Sequence, residues 1–202
     1  MIKIDKISKT FGQKVLFDNY SLEINDGDFV VITGESGCGK TTLLNIIGSL
    51  ESVDSGHITV DGLDIHKKSN QTNYLRNCVG FLFQNFALID NKTVLKNLSI
   101  VKKNCRSNVS IDQALEAVGL SDKKKQRVYS LSGGEQQRIA LARLMLKKCK
   151  YIIADEPTGS LDRKNAQVVI SILKKFNESG KTIILATHDE SLKNVGGRLI
   201  NL

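Results

Sequence analysis

Residues 34–42 read Gly-Glu-Ser-Gly-Cys-Gly-Lys-Thr-Thr. The spacing Gly34-x-x-x-x-Gly39-Lys40-Thr41 is that of a phosphate-binding loop. Glycines let successive backbone N–H groups turn inward around phosphate oxygens, and a helix N-terminus behind them adds positive potential. Lys40 would bridge the β- and γ-phosphates of a nucleotide. Thr41 would place its hydroxyl on Mg²⁺, and Thr42 would reach the α-phosphate. Gly34, Glu35, Ser36, Gly37, Cys38 and Gly39 would supply the cradle. The rival reading is a glycine-rich turn with no ligand. An apolar run before the loop and a helical pattern after it favour the phosphate reading.

Two further strings carry chemistry. Asp155-Glu156 follows the apolar run 151–154. A carboxylate at the end of a strand, facing the loop, suits Mg²⁺ coordination through Asp155, and Glu156 would polarise an attacking water as general base. An exposed acidic turn is the alternative. Leu131-Ser132-Gly133-Gly134-Glu135-Gln136 reads first as a helix start, with Ser132 as N-cap and Glu135 three residues on. Gly133 and Gly134 leave that helix end uncovered, with unpaired N–H donors and about half a positive charge. Such an end suits a γ-phosphate.

The elements that must position these residues follow from pattern. Phe29-Val30-Val31-Ile32-Thr33 predicts a buried strand, and Leu43, Leu44, Ile46 and Ile47 the helix after the loop. Ile2, Ile4 and Ile7 with Leu16, Leu22 and Ile24 predict short, partly alternating strands, and Asn25-Asp26-Gly27 a turn. Further strands are expected at 57–60, 79–83, 151–154, 182–187 and 198–202. Ser110 to Gln113 is a capping box that opens a helix through Val118, closed by Gly119. Another helix is expected from near Gly133 to about Lys148. The stripe Val169, Ile172, Leu173 and Phe176 predicts a helix over 163–177. Strands alternating with helices argue α/β with a mainly parallel sheet. The stretch 93–146 interrupts the alternation and reads as an inserted helical part.

Composition narrows the function classes. Hydrophobic content of 41% and charged content of 25% are ordinary for a globular chain of 202 residues. No run approaches the roughly 18 apolar residues of a membrane span, and the first residues do not form a secretory signal. Net charge is +8, with lysines clustered at 67–68, 102–103, 123–125 and 147–148. These clusters fit solvated surface, an anionic membrane or nucleic acid; the absence of interleaved aromatics weakens the last. Cys38, Cys78, Cys105 and Cys149 form no metal-ligand spacing and read as reduced thiols.

The loop at 34–42 and the string 131–138 together resemble the nucleotide loop and signature of an ABC transporter ATPase subunit, over essentially the whole chain. The resemblance implies the fold: a P-loop NTPase core with a mainly parallel sheet, an N-terminal antiparallel β subdomain and an inserted α-helical subdomain at about 93–146. All would lie in one nucleotide-binding domain, 1–202. It implies that Gln84, in Phe-Leu-Phe-Gln, senses Mg²⁺ and a membrane partner, and that Ser160-Leu161-Asp162 links the two ATP sites of a dimer. His188 would contact the γ-phosphate, though by itself it reads more readily as a loop hydrogen-bonder. Phe11 would stack on adenine, with plain core the alternative. Ser132, Gly133 and Gly134 of one subunit would close the ATP site of its twin, which makes a homodimer the working unit. Lys40, Gln84, Glu156 and His188 would carry the chemistry, with ATP and Mg²⁺ bound.

The string 155–162 is similar to the branch serving lipoprotein release, macrolide efflux and cell division, although that branch usually has Asn where Ser160 stands. The short Gly12-Gln13-Lys14 loop and the little chain after His188 look most like small subunits for bacteriocin export, the lactococcin 972 group. A separate integral-membrane permease, no nucleic acid, and a peripheral place on the cytoplasmic face of the membrane are the implied partners and location. The rivals are a soluble ABC ATPase working on nucleic acid or ribosomes, and a regulatory subunit that does not transport.

Overall fold

Strands β1 (Ile2–Phe11) and β2 (Lys14–Ile24) pair antiparallel around the tight Gly12-Gln13 turn. After the turn at 25–28 comes β3 (Phe29–Thr33), buried along its whole length, then the glycine loop and α1 (Lys40–Ile47). The chain then returns to the first hairpin: β4 (Ser55–Val60) pairs antiparallel with β1, and β5 (Leu63–Asp64) with β4. The antiparallel sheet, ordered β2-β1-β4-β5, is therefore completed from beyond the loop helix.

A short helix, α2 (Lys68–Asn73), runs into one π turn, Tyr74–Cys78, before β6 (Val79–Leu82). Next come α3 (Val94–Ser99), α4 (Ile111–Ala117) and α5 (Gly133–Leu146), joined by 3₁₀ turns and irregular chain. Then follow β7 (Tyr151–Asp155), α6 (Arg163–Glu178), β8 (Thr182–Ala186) and β9 (Arg198–Asn201). The central sheet is ordered β6-β7-β8-β3-β9 and is parallel throughout. The computed structural model describes all 202 residues.

Alternation along the parallel strands divides the interior in two. Val30, Ile32, Ile153, Ile184 and Ala186 face α1 and the antiparallel sheet, where they meet Ile4, Leu43 and Ile47. Phe29, Val31, Ile152, Ala154, Ile183 and Leu185 face the opposite layer, made by residues of α3 to α6 such as Leu98, Leu115, Ile139 and Leu173. A sheet buried on both faces explains why its strands are continuous apolar runs. Each fully buried Ile or Leu contributes about 1.5–3 kcal/mol relative to exposure.

The helical stretch differs from expectation at one end. The helix expected to reach about Lys148 stops at Leu146, because Lys147 is extended and forms an isolated antiparallel bridge with Arg106. The expected capping boxes are present: Ser110 with Gln113 opens α4, and Ser132 with Glu135 opens α5.

Candidate active site

The glycine loop leaves the C-terminal end of β3, at the edge where parallel α/β sheets place their ligands. Gly34 and Gly39 sit at φ of 146° and 111°, a region closed to ordinary side chains. Gly39 is the N-cap of α1, where no side chain caps the first turn and no acidic residue stands in it. Those N–H groups are free to meet an anion. Lys40 is 9% exposed, and its ammonium donates to Gly34 O (2.8 Å) and Glu35 O (2.9 Å), with Cys38 Sγ at 3.9 Å. From the neighbouring hairpin, Lys14 Nζ donates to Gly37 O (2.9 Å) and ties β2 to the loop.

Asp155 ends β7. Its carboxylate accepts from Thr41 Oγ1 (3.2 Å), and burial raises its pKa above the ordinary range, reinforced by Glu156; the Thr41 hydrogen bond and Lys40 act in the other direction. Glu156 takes a left-handed φ of 44°, which a non-glycine residue holds only when its surroundings enforce it. Here Glu156 N donates to Ala186 O (3.0 Å) on β8. The Glu156 carboxylate, 13% exposed, lies 2.8 Å from His188 Nδ1 and accepts from Thr187 Oγ1 (3.3 Å).

These groups share one cavity of about 530 Å³, whose walls include Lys40, Thr41, Thr42, Gln84, Glu156 and His188. Ser36, Gly37 and Gly39 complete the loop side, and Leu16 supplies the single apolar wall residue. A loop backbone rich in N–H groups, a lysine, a hydroxyl and a carboxylate–imidazole pair in one cavity can hold a polyphosphate and activate water beside it.

Not every expected residue lines this cavity. Gly34 and Glu35 wall a smaller recess behind the loop, together with His188. Phe11 is 48% exposed and outside the cavity walls, with Lys9 Nζ 4.8 Å from its ring centre. Gly133 lines an adjoining groove that Thr41, Gln84, Asp155 and Ser160 also border, whereas Ser132 and Gly134 line neither space. Ser132 is occupied as a cap: its N–H donates to Glu135 Oε2 (2.8 Å) and its hydroxyl accepts from Glu135 N (3.3 Å). That backbone hydrogen bond leads the causes that hold the Glu135 carboxyl below its usual range.

The two signature glycines differ. A Cβ on Gly134 would come within 2.7 Å of the Asn165 side chain, whereas one on Gly133 would meet only Phe86, at 3.8 Å. The first is required by the packing of α5 against α6; the second is required by nothing in its own chain. Asn165 is held in turn by Asp162, the N-cap of α6 (2.9 Å), and accepts from Arg138 of α5.

Sequence reasoning missed Leu16, Lys14 and Thr187. Leu16 had a signal, an apolar residue just after a tight turn; Lys14 and Thr187 had none beyond adjacency to a motif. No group of three or more His, Cys, Asp or Glu side chains gathers anywhere as a metal cage. A Mg²⁺ ion does not need one, since it takes one or two carboxylates with substrate phosphates and water. The oxygen donors of Thr41, Asp155 and Gln84 fit such a hard cation.

Comparison with known proteins identifies the family and the fold. The family described as ABC transporter matches residues 17–159. An uncharacterized ABC transporter ATP-binding protein of Methanocaldococcus jannaschii is 38% identical over 213 residues, covering 100% of this chain and 95% of the relative. The lipoprotein-releasing system ATP-binding protein LolD of Leptospira interrogans is 38% identical over 208 residues, covering 100% of this chain and 88% of the relative. Among solved structures, the dimeric post-hydrolysis state of the ATP-binding cassette MJ0796, bound to ADP and Pi, superposes with a TM-score of 0.87. It is 33% identical and covers 100% of this chain and 94% of that one.

Proposed function

The chain belongs to the ABC transporter family as an ATP-hydrolysing subunit, and from that premise we propose that it works as a head-to-tail homodimer powering export through a separate membrane permease. The observation that carries the ATPase reading is the convergence of Lys40, Thr41, Gln84, Glu156 and His188 on one cavity. The whole chain, 1–202, acts as one nucleotide-binding domain, with the helices of 93–146 as its inserted part.

Within each site Lys40 exchanges its two carbonyl acceptors for phosphate oxygens, and the N–H groups of the loop hold the remaining phosphate charge. Bound Mg²⁺ would supply charge neutralisation at the phosphates, held by Thr41 and Asp155 with Gln84 beside them. Glu156 takes the proton of the attacking water, and His188 and Thr187 fix its carboxylate. Phe11 offers an exposed ring for the adenine.

Ser132, Gly133 and Gly134 of the twin complete the site. Support comes from Gly133, whose lack of a side chain serves no contact in its own chain and lets another molecule approach the α5 end. The MJ0796 cassette, solved as a dimer bound to ADP and Pi, supports a dimeric working unit. Closure by ATP and opening after hydrolysis follow from binding linkage.

The surface around 84–95 passes this motion to the permease, which places the chain on the cytoplasmic face of the membrane. No helix of the chain is long and apolar enough to cross a membrane. The substrate is either a bacteriocin-like peptide, which rests on resemblance in the 12–14 loop and after His188, or a lipophilic molecule, in keeping with the lipoprotein-releasing relative.

Glu156→Gln tests the reading. Turnover should fall by about 10²–10⁴-fold while ATP affinity is kept. With ATP and Mg²⁺ the variant should elute as a dimer in size-exclusion chromatography; a monomer under those conditions would reject the shared sites.

A further inference from the structure

Two glutamines stand side by side on α5, and the fold uses them differently. Gln136 Nε2 donates to Leu131 O (3.0 Å), a local bond that supports the start of its own helix. Gln137 faces inward. It is fully buried, and its Nε2 donates to Pro157 O (2.6 Å), 20 residues along the chain. The nitrogen must be the atom on that side, because the Pro157 carbonyl can only accept. Gln137 Oε1 is the only buried side-chain nitrogen or oxygen of the protein without a hydrogen-bond partner.

A buried amide with an unpaired oxygen is a costly way to fill a core, and a methionine of similar size would avoid that cost. The place where the amide lands gives it a use. Pro157 directly follows Glu156, whose backbone sits in the left-handed region at φ 44°. One side of this turn is tied to β8, where Glu156 N donates to Ala186 O (3.0 Å). The turn also closes on itself, through Gly159 N to Glu156 O (3.2 Å). The Gln137 amide ties its other side to α5. Gln137 lies one helical turn from Gly133, at the tip of that helix. A single side chain therefore links the α5 tip to the residue after Glu156. The other polar chain leaving α5, from Arg138 through Asn165 to Asp162, ends at the N-cap of α6 instead.

We propose that Gln137 is a positioning residue for hydrolysis: its amide holds the Glu156 turn in register with α5, the helix whose tip meets the twin's nucleotide. The inference rests on the reading of Glu156 as general base and deepens it. His188 and Thr187 hold the carboxylate from the β8 side. Gln137 holds the backbone that carries it, from the helical side. It is not among the walls of the nucleotide cavity, so it should act on the chemical step and not on ATP binding. A base displaced by about 1 Å can slow a reaction by about 100-fold.

The test is Gln137→Met, which keeps the volume and removes the donor. In steady-state phosphate release kcat should fall by about 10–100-fold, while equilibrium ATP affinity and the melting temperature stay close to the parent's. Because the residue acts through Glu156, the double variant Gln137→Met, Glu156→Gln should turn over no more slowly than Glu156→Gln alone. A merely structural tie would lower the melting temperature and leave kcat of the folded chain intact. That result, a loss confined to ATP affinity, or a further multiplicative loss in the double variant would overturn the proposal. Normal turnover by Glu156→Gln would instead reject the base reading on which it rests. If Gln137→Met does not fold, the parent chain decides. In two-dimensional nitrogen–proton spectra one side-chain amide proton of Gln137 should be protected from exchange with water, and rapid exchange of both would overturn the proposal.

Discussion

His188 Nδ1 lies 2.8 Å from Glu156 Oε1, across the gap between the ends of β8 and β7. The contact joins the proposed general base to the imidazole proposed to orient it. It also gives Glu156, already in a left-handed backbone conformation, a fixed carboxylate orientation.

Removing the imidazole should therefore misplace the proposed base as well as delete a donor. His188→Ala is expected to lower kcat by about 10²–10³-fold, with ATP affinity little changed. Steady-state phosphate release and equilibrium ATP binding check this together; a loss confined to binding would contradict the assigned role.

The two signature glycines should separate stability from function. Gly134→Ala puts a methyl group 2.7 Å from Asn165 and is expected to cost about 1–3 kcal/mol of stability. Gly133→Ala meets no close neighbour in its own chain. It should melt like the parent, within about 1 °C after allowing for helix propensity, yet lose ATP-driven dimerisation. Thermal melts and size-exclusion chromatography with ATP distinguish the two.

Burial raises the pKa of Asp155, so the folded chain binds this proton more tightly than the unfolded chain does. Stability then falls as pH rises from the ordinary carboxylate value of 3.8 through the raised folded value, and stays lower above it. Asp155→Asn should raise the melting temperature at neutral pH, and its advantage should shrink as pH is lowered through that window. Hydrolysis should be lost at the same time. Calorimetric melts across acid and neutral pH, with phosphate release, measure both.

Cys38 stands in the loop with its sulfur 3.9 Å from Lys40 Nζ. A bulky maleimide on Cys38 should exclude nucleotide, and saturating ATP should slow its attachment. Full turnover after quantitative modification of Cys38, confirmed by mass, would contradict the placement.

Much of this site was legible before any fold was known, because its parts are local. A phosphate loop needs glycines at φ values closed to other residues, and Gly34 and Gly39 announce that need by identity. The capping box of Ser132 with Glu135 spans four residues and forms as written. The apolar run 29–33 declares a strand buried on both faces, whatever its neighbours. Long-range placement had no such signature. The pairing of β4 with β1, the position of Leu16 rather than Phe11 in the cavity wall, and the Thr187 hydroxyl on Glu156 all depend on segments far apart in the chain.

Sequence by itself determined the chemical inventory of this protein and the local conformations that present it, since backbone sterics and capping act over a few residues. The tertiary structure alone decided which groups meet. It brought Lys40, Gln84, Glu156 and His188 into one cavity and left Ser132 outside that cavity. It also set the basic stretches 102–106 and 147–148 side by side. The physical reason is that burying both faces of one parallel sheet fixes strand order, and strand order fixes which loop ends become neighbours.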